Sequence, residues 1–218
     1  MKTKLMVCLF AVAMALVWLP NAYSNNISVG EKIRFFDHEG NTGGGEFGVA
    51  KLPNVNTELF RTFCLQRDEY LDFNAAGFNV VGITKTVQLN GTALSNGAAY
   101  LFYKFAAGTL ANYDYTANSA EHIKDANALQ NAIWKFQGQP TVGPLDPQTT
   151  LWYDEAAAVT DDYLRYVSVL NLTWATTRGG FTAGTAAQDV LVLVPEPLTL
   201  LLLGLGLFGL GITRKIKK

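Results

Sequence analysis

Two apolar runs bracket this chain and decide which part of it folds in water. The first, Leu5–Leu19, follows the charged start Met1-Lys2-Thr3-Lys4 and is broken by Pro20. The second, Leu198–Ile212, is followed by Thr213-Arg214-Lys215-Ile216-Lys217-Lys218. Fifteen residues make only about 22 Å of helix, short of the roughly 20 residues that a bilayer core needs. The first run reads as a signal peptide over residues 1–24, because Ala22 and Ser24 supply the small residues of a cleavage site after Ser24. The four positive charges at the other end resist translocation and stay in the cytoplasm. The segment between the runs is therefore expected outside that membrane.

That segment, residues 25–194, is long enough for one domain with its own core. Setting aside the six basic residues and one acidic residue of the two ends leaves 11 Lys+Arg and 17 Asp+Glu, a net charge of −6. Phosphate backbones need a positive surface, so nucleic acid is excluded as a partner. Many aromatics among Gly, Ala, Asn and Thr suit a folded secreted domain rather than a disordered spacer. Cys8 leaves with the signal peptide, so the mature domain keeps a single cysteine, Cys64. A lone thiol outside the cytoplasm is open to oxidation and asks for an explanation.

The tail has three ordered parts: Pro195-Glu196-Pro197, a glycine-dotted apolar helix, and a basic end. Together they resemble the PEP-CTERM sorting tail of Gram-negative bacteria, over residues 195–218. The resemblance implies an exosortase-type processing enzyme as a partner and cleavage near Pro195-Glu196-Pro197. It also implies transient membrane anchoring by the C-terminal helix and delivery to the cell surface or extracellular matrix. The alternative is an ordinary C-terminal anchor, for which fifteen apolar residues are short.

Within 25–194, alternation predicts strands at Ile27–Phe36, Leu59–Leu65 and Phe78–Leu89, with a turn at Asn90-Gly91. The Leu59–Leu65 strand would put Leu59, Arg61, Phe63 and Leu65 on one side and Phe60, Thr62 and Cys64 on the other. Helices are predicted at Ala98–Phe105, capped by Ser95 or Asn96 and ended by Gly108, and at about Ala120–Gln137, ended by Gly138 and Pro140. A third, short helix is expected at Leu151–Val159. Strand character returns at Tyr163–Trp174 and Gln188–Val194. Strands, then helices, then strands give an α+β fold, a β-sandwich or barrel with a helical insertion at about 95–160. Gly43-Gly44-Gly45 lacks the spacing of a phosphate loop and reads as a flexible turn.

The second helix holds an anomaly. On a wheel at about 100° per residue, Gln130 lies mid-face between Ile123, Ala126, Ile133 and Trp134. A buried carboxamide without partners costs about 1–3 kcal/mol, so it is either bonded to backbone or engaged in chemistry. Cys64 divides the same way, as a passive small hydrophobe or as a reactive group. A buried thiol and a buried carboxamide can relieve each other by condensing to a thioester with loss of ammonia.

Phe63-Cys64 and Leu129-Gln130-Asn131-Ala132-Ile133 resemble the two motifs of bacterial Cys–Gln thioester domains, with Leu129 where threonine is commoner. The resemblance spans most of residues 60–194. It implies a covalent adhesin: an internal Cys64–Gln130 thioester attacked once by an amine or hydroxyl on a surface or matrix partner, with no turnover and no cofactor. Phe63, Ile133 and Trp134 are candidates for an apolar shield, and His122, two turns before Gln130, can approach the same site. An enzymatic alternative pairs Cys64 with His122 as nucleophile and base. Neither His38 nor His122 stands at metal-ligand spacing with cysteine or another histidine. The carboxylates Asp154, Glu155, Asp161 and Asp162 read as a solvated helix end. A further alternative is a non-covalent matrix or carbohydrate-binding protein in which Cys64 is passive.

Overall fold

The computed structural model describes residues 27–194. The expected signal peptide, 1–24, and the expected sorting tail, 195–218, lie outside them. In chain order the elements are β1 (Lys32–Asp37), β2 (Phe47–Lys51), β3 (Phe60–Thr62), β4 (Phe78–Thr84), α1 (Asn96–Ala106), α2 (Ala120–Phe136), α3 (Pro147–Ala157), β5 (Val167–Trp174) and β6 (Ala186–Leu193). Strands first, three helices together, then two closing strands: the α+β order matches expectation. Among the described residues no helix is long and apolar enough to cross a membrane.

The helix boundaries follow local chemistry. Ser95 accepts from Ala98 N at the start of α1, Ser119 from His122 N at the start of α2, and Asp146 from Thr149 N at the start of α3. Each side chain satisfies a donor that the first turn leaves open. Gly138, with φ 67°, takes the left-handed conformation just past α2. The third helix begins four residues before the expected Leu151, because Asp146-Pro147 is itself a start signal, with proline inside the first turn.

The strands form one six-stranded antiparallel sheet, ordered β3-β2-β1-β4-β5-β6. They do not form the continuous closed barrel that the sequence left open. The two edge strands instead meet at one corner: Cys64, just past β3, makes an isolated bridge with Val190 of β6. Leu65 N donates to Asp189 O at 3.1 Å and Leu191 N to Phe63 O at 3.3 Å on either side of it.

The core has two halves. One fills the space between helices and sheet, with Leu101, Phe102, Leu129, Ile133 and Trp152 against Phe63, Val167 and Leu191. In the other, Ile33, Phe35, Val49 and Phe78 meet Leu170, Leu172 and Val190. A curved sheet that packs on itself and also carries helices buries β5 on both faces. All eight residues of β5 are accordingly buried, Ser168, Asn171 and Thr173 included, so the strand has no exposed face. The Leu59–Leu65 strand is shorter than expected, and β2, absent from the sequence reading, lies between β1 and β3.

Candidate functional site

Cys64 and Val190 form the bridge's non-hydrogen-bonded pair, so the N–H and C=O of Cys64 point away from β6. On that other side β2 has ended, and its ladder with β3 stops at Phe47 opposite Thr62. Buried backbone groups must find partners, and here a side chain stands in for the missing strand. Gln130 Oε1 accepts from Cys64 N at 3.0 Å, and Gln130 Nε2 donates to Cys64 O at 2.9 Å. Gln130 is fully buried and Cys64 is 2% exposed.

The carboxamide oxygen has a second donor, Gly45 N at 2.9 Å. Gly45 belongs to the glycine run that the sequence reading treated as a flexible turn. In the fold this run is packed over the site. A Cβ placed on Gly44 would lie 2.7 Å from Gln130 Cγ, 2.8 Å from Gln130 Cδ and 2.6 Å from Trp134 Cζ2. Only glycine lets the backbone come this close. Burial pushes the Cys64 thiol well above the ordinary thiol range, the Gly45 N–H acts the other way, and the nearby Glu69 charge adds to the rise. The same N–H is thus close to both the Cys64 sulfur and the Gln130 carbonyl oxygen. In the structure Cys64 is unbonded and buried, and without a bond to Gln130 its burial favours the neutral thiol.

Gln130 is one of several side-chain amides on α2 that grip loops in this way. Asn131 Oδ1 accepts from Val142 N at 2.9 Å and Asn131 Nδ2 donates to Val142 O at 3.2 Å. Asn127 exchanges two bonds of 2.7 Å with Asn41, and Gln137, just past the helix, accepts from Ser95 N at 2.9 Å. Among these amides Gln130 is the one bonded to the cysteine.

The proposed shield residues separate. Trp134 packs with Cys64 in the sheet-side core, and its Nε1 is buried without a hydrogen-bond partner. Phe63 and Ile133 are fully buried on the helix side instead, because neighbours along a strand point to opposite faces. Ile123, expected on the apolar face, is 36% exposed.

His122 takes no part with Cys64. Its Nδ1 lies 3.2 Å from Thr116 O and its Nε2 2.8 Å from Glu46 Oε2. A carbonyl only accepts, and Glu46 also binds the Arg61 guanidinium and the Tyr113 hydroxyl, the latter at 2.7 Å. Both ring nitrogens are therefore taken by Thr116 and Glu46. Burial raises the Glu39 carboxyl, but the Asn118 N–H and the charges of His122 and Arg61 bring it below its ordinary value. Glu39, Glu46 and His122 place their ligand atoms within 4.8 Å of one another, a spacing that suits a cation. Arg61, Tyr113 and Thr116 already engage these atoms, so the cluster reads as an internal ion-pair network. Asp154, Glu155, Asp161 and Asp162 are exposed, as expected.

Residues 193–215 match the PEP-CTERM protein-sorting motif. The chain thus carries the signal of an exported protein that an exosortase processes at the cell envelope, and Pro195-Glu196-Pro197 falls within the match. No curated protein and no solved structure matches the chain.

Proposed function

We propose that the mature domain forms an internal thioester between Cys64 and Gln130 and passes the Gln130 acyl group once to an amine or hydroxyl on a surface or matrix partner. On this reading it is an adhesin-like protein of a Gram-negative cell surface or matrix. The observation that carries the proposal is the Gln130 carbonyl oxygen held by two backbone donors, the N–H of Cys64 itself and that of Gly45. Donors at 2.9 and 3.0 Å suit an oxygen that gains negative charge during attack.

In the forming step the Cys64 sulfur bonds to Gln130 Cδ and the Cδ–Nε2 bond breaks. The thiol proton goes to the departing nitrogen, which leaves as ammonia. In the transfer step a partner amine bonds to the same carbon, the C–S bond breaks, and one amine proton returns to sulfur. Holding both groups in place replaces a high reactant concentration, and burial keeps water away until a partner arrives.

Intact mass of freshly secreted, unheated protein tests this reading. Loss of ammonia lowers the mass by about 17 Da, blocks Cys64 alkylation, and lets methylamine add at Gln130 while freeing Cys64. Cys64→Ala abolishes the mass loss. The competing reading is a non-covalent matrix protein in which Gln130 only braces the Cys64 backbone. Asn131, which braces Val142 by the same two-bond pattern, favours it. That reading requires full sequence mass and no methylamine adduct.

A further inference from the structure

We propose that the Glu39–Glu46 loop is a lid over Cys64 and Gln130, latched to α2 by Asn127 and pinned at its base through His122. Its role in admitting a partner rests on the acyl-transfer reading above; its existence as a lid does not.

The two ends of the loop lie side by side, Glu46 N donating to Glu39 O at 2.9 Å. Their carboxylates close on opposite sides of the His122 ring, Glu46 Oε2 at 2.8 Å from Nε2 and Glu39 Oε1 at 3.6 Å from Nδ1. Glu39 also accepts from Asn118 N at 3.0 Å, and Glu46 from Tyr113 and Arg61. The base is therefore held by buried charge.

The span between the ends is held far more lightly. Asn41 meets Asn127 through two bonds of 2.7 Å, and Gly45 N meets Gln130 Oε1. Gly43, Gly44 and Gly45 have no side chains to root them, and residues 40–45 include no apolar side chain. Gly40 and Gly43 have φ of 113° and 80°, conformations that let the chain pivot with little steric cost. Asn41 and Gly43 are exposed, whereas Gly44 lies buried on the Gln130 carboxamide. The backbone of Gly44 is thus the cover between that carboxamide and the exposed outer turn of the loop. Lifting it breaks the Asn41–Asn127 latch and one bond to Gln130, while Cys64 N, fixed in the sheet, keeps its hold on the carbonyl oxygen.

Two variants test the lid while leaving Cys64 and Gln130 unsubstituted; Asn127→Ala acts at the latch alone, and Gly44→Ala also presses on the Gln130 carboxamide. Asn127→Ala removes the latch from a half-buried position, and Gly44→Ala wedges a methyl group against Gln130 and Trp134. The readout is methylamine uptake by intact mass if the wild-type protein carries the bond. If it carries none, the readout is the rate at which iodoacetamide alkylates the buried Cys64, which the same loop covers. Either rate should rise about tenfold in both variants, equivalent to about 1.4 kcal/mol of lost closure. The increase should persist unchanged in low urea, since a local opening exposes little surface whereas global unfolding responds steeply. Rates within about twofold of wild type in both variants, or acceleration that grows steeply with urea, would overturn the lid. Full sequence mass in the wild type overturns the thioester alone.

Discussion

One side chain, that of Gln130, holds both backbone polar groups of Cys64: its oxygen takes the N–H and its nitrogen gives to the carbonyl. The residue thus supports the sheet corner as well as presenting a carbonyl carbon. Gln130→Ala leaves Cys64 N, Cys64 O and Gly45 N buried without partners. We expect it to destabilise the fold by about 2–4 kcal/mol, since each abandoned group costs about 1–3 kcal/mol before neighbours relax. Gln130→Glu keeps the acceptor but sets a carboxyl oxygen against Cys64 O, so its stability should fall as pH rises and the carboxyl ionises. Urea midpoints measured from pH 4 to pH 8 check both statements; equal, pH-independent midpoints for Gln130→Glu and wild type would refute the second.

The Glu46 carboxylate is buried and engages Arg61, His122 and Tyr113. Neutralising it in Glu46→Gln weakens the hold on the half-buried Arg61 guanidinium and the buried His122 ring, which Glu58 and Glu39 still face, and should cost about 1–3 kcal/mol. The exposed pair Lys124–Glu121 offers the contrast, and Lys124→Ala should leave the denaturation midpoint unchanged, because solvent screens such pairs. Comparable losses for the two variants would contradict the burial argument.

Glu69 gives a pH signature of its own. Burial, with the neighbouring Asp189 charge, pushes its carboxyl up from 4.5 to about 7. Between those values the folded chain keeps a proton that the unfolded chain has released. Its contribution is fully present below pH 4.5 and is lost as pH rises through about 7. Glu69→Gln should therefore flatten that part of the stability profile and raise stability at pH 8 relative to wild type. A parallel profile for the two proteins would show that Glu69 titrates normally.

The sorting motif predicts a processed C-terminus. Peptide maps of the exported form should lack Arg214-bearing peptides, which remain in the membrane fraction. Recovery of such peptides from surface-exposed material would mean that the tail is a plain anchor.

The helices were legible because their punctuation is local: Ser95, Ser119 and Gly138 act within a few residues of themselves. Strand β2 was not legible, since Phe47–Ala50 is buried without a break and follows a glycine run. Alternation also could not show that β5 would be covered on both faces by one curved sheet and its helices. Cys64 and Gln130 were visible as anomalies, a lone thiol and an amide on an apolar helix face. The roles of Gly44, Gly45 and Glu46 were not, because they depend on Gln130 and His122 of α2, far along the chain. A glycine's purpose lies in what approaches it, and sequence carries no trace of that.

The bridge between Cys64 and Val190 has a mechanical consequence. Strand β6 ends at Leu193, where the sorting motif begins, so a pull transmitted from a C-terminal attachment enters the domain through β6. Between that load and α2 stand the β5 ladder, the Cys64–Val190 contact and the Gln130 brace. Tension on a tethered molecule would be felt first by the strand that backs the cysteine. Drag from flowing liquid would thereby reach the Gln130 brace along a single path.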